Sequence, residues 1–214
     1  MRTPKEFAER FIWRWEDGKS DDPMKTHSMD RDDSGNWTGA QIGVGALVGS
    51  QHGVTPAVLA VHRKVPVAQI TKEVMRALSR AEAADIALER FYRGPNLHRL
   101  TWSPATASLF DMGWGTGPVQ AIKLAQRMVD SPVDDGIITP MGGTERLWNA
   151  LIDKQPHEFT AGAFWAVRDA FYDLIISQNP VKKKYSAGWD NRSDYFTPGG
   201  TFGDNDKFWP WFMS

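Results

Sequence analysis

Apolar residues at Phe7, Phe11, Ile12 and Trp15 recur at the spacing that puts them on one side of a helix. Just ahead of them, Thr3-Pro4-Lys5-Glu6 carries the signals of a helix start: a hydroxyl at the N-cap, proline at the first helical position and a glutamate three residues after the cap. Gly18 takes left-handed backbone without penalty, so the helix is expected to stop there with Glu16 in its last turn. The periodicity then disappears. Through Gly53 the chain is polar and glycine-rich, with Asp21-Asp22-Pro23, the run Asp30-Arg31-Asp32-Asp33-Ser34-Gly35, and glycines at 39, 43, 45, 49 and 53. This pattern predicts loops and a short β-ribbon around 41–48. Helical spacing returns from Thr55-Pro56 through about His62, briefly over 70–78, and more strongly after the capping box Ser79-Arg80-Ala81-Glu82, in a helix that Gly94-Pro95-Asn96 closes.

The second half reads as helix almost throughout: 104–112, 118–129, 144–152, 159–177 and a last piece near 185–195, with a turn at Val133-Asp134-Asp135-Gly136-Ile137-Ile138. Gly113-Trp114-Gly115-Thr116-Gly117 is not a nucleotide-binding loop, because no strand precedes it; a tight interhelical turn is expected. Lys182-Lys183-Lys184 reads as a solvated helix start. The aromatic tail, with Phe202, Phe208, Trp209, Trp211 and Phe212, either folds back over apolar surface, which is the favoured expectation, or presents a stacking platform for sugar. The fold class is mainly α, with a small β element in the N-terminal half and a helical C-terminal half. Its expected domains are 1–100, 101–196 and the tail 197–214.

Charge and composition narrow the function. A formal net charge of -1 gives no footprint for nucleic acid. There is no cysteine, so thiolate zinc sites and cysteine nucleophiles are excluded. No apolar run approaches a membrane span or a secretory leader, so no membrane insertion is expected and export would need a separate route. The histidines lack metal spacing and no serine elbow is present. Asp30, Asp32, Ser34 and Gly35 match the opening of a calcium loop, but its twelfth position is Gln41 rather than a bidentate glutamate, which leaves a polar turn. No metal or cofactor is expected.

Carboxylates remain as the available chemistry. The 10 tryptophans, against only 4 tyrosines, bring in carbohydrate as a ligand, since indole faces stack on sugar rings. Glu16 at a helix C-terminus sits in a field that disfavours a second negative charge, and shielding by Trp13 or Trp15 would act the same way. The expectation is an acid that keeps its proton near neutral pH, as a proton donor in glycosidic-bond cleavage requires.

Glu16-Asp17-Gly18-Lys19-Ser20-Asp21-Asp22-Pro23 resembles the Glu-Gly-Gly-Tyr-x-x-Asp-Pro motif of glycoside hydrolase family 108, N-acetylmuramidases that include many phage endolysins. Asp33-Ser34-Gly35-Asn36-Trp37-Thr38 resembles the family's Asp-x-Gly-Gly-x-Thr, and Gly53-Val54-Thr55 its Gly-Ile-Thr. Ser79-Arg80-Ala81-Glu82-Ala83 resembles its Glu-Ala helix. Farther on, Leu109-Phe110-Asp111, Ala121-Ile122-Lys123-Leu124-Ala125-Gln126, Asp135-Gly136 and Gly188-Trp189-Asp190-Asn191-Arg192 resemble the accompanying peptidoglycan-binding domain. Asp17 and Lys19 depart from the motif, the latter replacing its tyrosine.

The resemblance implies a lysozyme-like fold and a hydrolase that cleaves between N-acetylmuramic acid and N-acetylglucosamine. Glu16 would be the general acid and Asp33 the second carboxylate, with Asp22 and Asp30 as alternatives. Trp15, Thr38, Thr55 and Trp189 are the candidate substrate contacts, while Asp111 and Arg192 are expected to belong to the architecture of the helical half. A lytic transglycosylase, a non-catalytic wall-binding module and a structural protein on the same scaffold are the other classes. The implied partner is bacterial peptidoglycan. A monomer is expected, made in the host bacterial cytoplasm and reaching the wall once a separate protein, a holin, has permeabilised the membrane.

Overall fold

The computed structural model describes residues 1–22, 24–199 and 207–214, which form two compact units: Lys5–Leu88, and Met1–Pro4 with Glu89–Ser214. Helix accounts for 62% of the chain and the one sheet among the described residues has two strands, so the fold is mainly α and lysozyme-like, with the small β element in the N-terminal half.

In the first unit, helix α1 (Pro4–Phe11) begins at Pro4 and buries Phe7, Ala8 and Phe11. It then widens into a π-helical turn, Ile12–Glu16. There the Asp17 N–H reaches the Ile12 carbonyl at 3.0 Å and the Lys19 N–H reaches that of Trp13 at 2.8 Å. Gly18 (φ +56°) and Lys19 (φ +64°) are both left-handed, and the helix ends as Gly18 predicts. Widened turns of this kind change the phase of the side chains after them and are frequent at functional sites.

The strands are β1 (His27–Ser28) and β2 (Ser50–Gln51), antiparallel, with His27 opposite Gln51. The ribbon expected around 41–48 lies elsewhere: that segment contributes only the isolated bridge Trp37–Leu47. Between those two residues Ala40, Gly43 and Gly45 take positive φ, and the turn bonds from Gly39 N–H to Val44 O and from Val44 N–H to Gln41 O fold the chain back before a strand can extend. Buried Asn36 ties these loops together, donating from its side chain to the Asp30 carbonyl and accepting at its own carbonyl from Val48 and Gly49.

Three short capped helices complete the unit. In α2 (Pro56–Arg63) Thr55 is the cap and Pro56 the first residue; α3 (Lys72–Arg76) is capped by Thr71, and α4 (Arg80–Ala87) by Ser79. Only half of the capping box operates. Ser79 accepts from the Glu82 N–H, but the Glu82 carboxylate is drawn to Arg63, which donates two bonds of 2.8 Å.

The second unit is built around α5 (Pro104–Thr116), buried on every side from Pro104 to Gly113. Its companions are α6 (Pro118–Met128), α7 (Gly143–Lys154), α8 (His157–Gln178), α9 (Ser186–Asp194) and α10 (Phe208–Met213). The glycine-rich stretch after Met112 stays helical through Thr116, whose hydroxyl bonds the Met112 carbonyl, so the interhelical turn contracts to Gly117 at φ +89°. Asp111, fully buried on α5, pairs with Arg168 of α8 and Arg192 of α9. Lys182-Lys183-Lys184 lies in an exposed 3-10 turn ahead of α9. Burial pushes the Tyr92 phenol up to about 12.

The end of the tail docks. Phe208 and Phe212 are buried, and the Phe212 carbonyl accepts from the Arg2 N–H at 2.8 Å. Phe202 lies outside the described residues. No helix among the described residues is long and apolar enough to cross a membrane.

Candidate active site

Glu16 is half-buried, the last residue of the π-helical turn, and its side chain lies across Gly53. A Cβ at position 53 would stand 2.8 Å from Glu16 Oε2 and 3.0 Å from its Cγ and Cδ, so only glycine leaves room for the acid in this pose. The floor under Glu16 is the tip of a hairpin that continues β2. The Gln51 N–H donates to Val54 O and the Val54 N–H to Gln51 O, at 3.1 and 2.8 Å, around a two-residue loop in which His52 (φ +53°) and Gly53 (φ +75°) are both left-handed. Positive φ at both central positions matches the right-handed twist of the flanking chain and is the geometry two-residue hairpin loops prefer.

The residue after Glu16 holds this hairpin. The Asp17 side chain is fully buried; its Oδ1 accepts from His52 Nδ1 and its Oδ2 from Arg80 Nε, both at 2.7 Å. Arg80, the first residue of α4, also donates to Asp21 Oδ1 and to the Ser20 carbonyl at 2.8 Å, which fixes the loop that leaves the helix. Burial opposes its charge, but the hydrogen bonds to Asp17 and Asp21 prevail and hold the Arg80 guanidinium above its ordinary value. Gln51 extends the cluster: its amide donates to the Thr26 hydroxyl at 2.8 Å and lies 3.4 Å from His52 Nε2.

The other candidate carboxylates are all engaged by turns. Asp33 caps a 3-10 turn at Ser34–Asn36, accepting from the Gly35 N–H at 2.8 Å, and Gly35 in turn lies against the Thr55 methyl, which a Cβ there would meet at 3.0 Å. Glu16 and Asp33 are thus connected through Gly53, Thr55 and Gly35. Asp30 accepts from the Asp32 N–H, and Asp22 from the Met24 N–H. Both are exposed.

Among the candidate substrate contacts, Trp15 is half-buried with the Arg14 guanidinium 4.8 Å from its ring centre. Thr38 accepts from the Ala46 N–H and braces the glycine-rich hairpin, while Thr55 caps α2. Trp189 belongs to the helical unit, stacked on Tyr172 with centroids 5.0 Å apart.

Sequence reasoning treated Asp17 only as a departure from a motif and passed over His52 and Arg80. One signal was present: His52-Gly53 between Gln51 and Val54 is a residue-glycine pair of the kind two-residue hairpin loops use. The partners of Asp17 stand 35 and 63 residues away, beyond any local pattern.

These residues lie in a mainly α, lysozyme-like architecture. Residues 10–117 match the family model described as glycosyl hydrolase 108, half of the chain, and the protein belongs to that family. It is accordingly a lysozyme-like glycoside hydrolase whose class of substrate is peptidoglycan. The matched segment contains Glu16, Asp17, Asp22, Asp30, Asp33, Thr38, His52, Gly53, Thr55 and Arg80, and excludes Trp189. Among solved structures, that of Brucella abortus SagA is similar, with a TM-score of 0.53 at 21% identity over 69% of this chain and 76% of that one, a likeness of fold. No curated protein matches the chain.

Proposed function

We propose that the protein is an N-acetylmuramidase, cleaving the bond between N-acetylmuramic acid and N-acetylglucosamine with Glu16 as general acid. The observation that carries this is the seating of Glu16: the carboxyl ends a helix inside the family-matched segment, and its side chain lies so close to Gly53 that a Cβ there would stand 2.8 Å from Oε2. Protonation of the leaving sugar oxygen makes departure possible, and a second carboxylate steadies the oxocarbenium-like transition state or activates water. Asp33 takes that second role in this proposal, since it is the candidate tied through Gly35 and Thr55 to the floor under Glu16.

The helical unit is the peptidoglycan-binding part, with Trp189 as a sugar-stacking surface, a role that rests on its resemblance to the domain that accompanies these enzymes. As an endolysin, the protein would be made in the bacterial cytoplasm, act as a monomer, and reach the wall after a holin opens the membrane.

The test is digestion of purified peptidoglycan by wild type and Glu16→Gln in parallel, with the released ends identified by mass spectrometry. Reducing N-acetylmuramic acid from the wild type, and a loss of at least about a hundredfold in Glu16→Gln, is the expected result. The inactive variant should still co-sediment with intact walls. Anhydro ends would make the chemistry transglycosylation. Undiminished release by Glu16→Gln would remove Glu16 from the reaction.

A further inference from the structure

We infer that Asp17, through His52 and Arg80, is the positioning device for Glu16. The inference rests on the assignment of Glu16 as the acid and extends it to residues with no assigned role.

The contacts around Glu16 close into a ring. Glu16 is bonded through the backbone to Asp17; Asp17 accepts from His52 Nδ1 at 2.7 Å; His52 is bonded through the backbone to Gly53; and Gly53 carries the Glu16 side chain on its Cα. The acid and the surface beneath it are therefore tied to each other twice, by the chain and by a buried hydrogen bond. Neither can shift without straining the other.

Each member suits that purpose. His52 is half of a two-residue loop in left-handed backbone, a conformation that costs a non-glycine residue energy and persists only where the surroundings impose it. Its ring, 8% exposed at the side chain, spans from Asp17 to the Gln51 amide and resists rotation of the turn. Asp17 is an anion buried beside the acid, which would be costly if uncompensated. Arg80 supplies the balancing charge and also pins the Ser20 carbonyl and Asp21, so the chain leaving the helix is fixed within a few residues of Glu16. A carboxyl that must meet a glycosidic oxygen benefits from such restraint, because misplacement by about 1 Å costs up to about a hundredfold in rate.

The test compares His52→Gly, His52→Asn and Glu16→Gln on soluble, uncrosslinked glycan strands prepared from peptidoglycan, well below the melting temperature of each protein. Glycine and asparagine both accept left-handed backbone, so the hairpin survives in each, but only asparagine retains a side-chain N–H for Asp17. His52→Gly should lower kcat by about tenfold or more with KM within about twofold, and His52→Asn should recover a good part of the loss.

Wild-type kcat in His52→Gly overturns the inference. So does a rise in KM with kcat preserved, which would make His52 a substrate contact, and so does equal loss in both variants, which would leave His52 only a structural part. If His52→Gly does not fold, Asp17→Asn answers the same question: it keeps the side-chain shape but loses the charge that Arg80 balances, and unchanged kcat there overturns the inference as well. Glu16→Gln separates the two layers. Full activity in that variant ends the assignment of Glu16, whereas an inactive Glu16→Gln beside an unimpaired His52→Gly ends only the positioning role.

Discussion

Both units bury a carboxylate completely and pair it with arginine, yet the two clusters do different work. In the helical unit Asp111 meets Arg168 and Arg192, whose side chains are 1% and 18% exposed, and all three sit on helices that this cluster ties together. Asp17 meets Arg80 and His52, and what these hold is backbone: a helix end, the loop after it and a hairpin tip. One cluster fastens regular elements whose packing already fixes them approximately. The other replaces regular structure where the unit has little, since the two strands here are two residues each and the segment between them is turns. Buried charge therefore serves stability in one place and placement in the other, and the substitutions that follow separate those roles.

The largest effect is expected at Asp111. Asp111→Asn is isosteric but leaves the buried Arg168 guanidinium without its counter-charge, with only neutral oxygens, those of Ser108 and of the new amide, as partners on α5. Removing one partner of a buried pair costs about 3–5 kcal/mol, and urea denaturation followed by tryptophan fluorescence should show a loss of this order. At a temperature where the variant remains folded, kcat on soluble glycan strands should match wild type. A fall in kcat like that expected of His52→Gly would erase the distinction between the clusters.

Gly53→Ala sits between the two roles. Its left-handed φ of +75° strains any side chain, and its new Cβ would stand 2.8 Å from Glu16 Oε2, so the acid must move. The expected cost in stability is about 1–2 kcal/mol, smaller than at Asp111, while the loss of activity should exceed what that destabilisation explains. An alanine variant that is less stable but equally active per folded molecule would show that the seat of Glu16 is not used.

The sequence showed most where the physics was local. Thr55, Thr71 and Ser79 cap the helices they precede, Pro56, Pro104 and Pro118 stand at first helical positions, and Gly18 follows the π-helical turn that continues α1 and stops it, because each acts on backbone within a turn of itself. The position of Glu16 at the end of that stretch was legible for the same reason. Distant partners decided the rest. The ribbon formed between His27–Ser28 and Ser50–Gln51 rather than within the glycine-rich segment between them. Glu82, a capping residue by spacing, turned to Arg63. The second carboxylate stayed undecided because Asp22, Asp30 and Asp33 share one turn chemistry, each accepting from an N–H two residues on.

The smallest effect concerns pH, and it sharpens the contrast because a histidine pairs with the carboxylate in one cluster and none does in the other. His27 in β1 has its imidazole held below its ordinary value of 6.5, first by burial and then by the positive charges of Arg76 and Lys72, with the Gln51 side chain acting the other way. A depressed histidine favours the neutral ring in the folded state. Its contribution to stability is therefore complete above about pH 6.5 and is lost as pH falls through the lower folded value. Hydrogen–deuterium exchange corrected for intrinsic rates, compared between pH 7 and pH 5, should show the β1–β2 ribbon losing protection in wild type and losing less in His27→Gln, with the Asp111 cluster unmoved in both. Gln51 pairs with His27 across the ribbon and its amide lies 3.4 Å from His52 Nε2, so loosening there would reach the floor under Glu16.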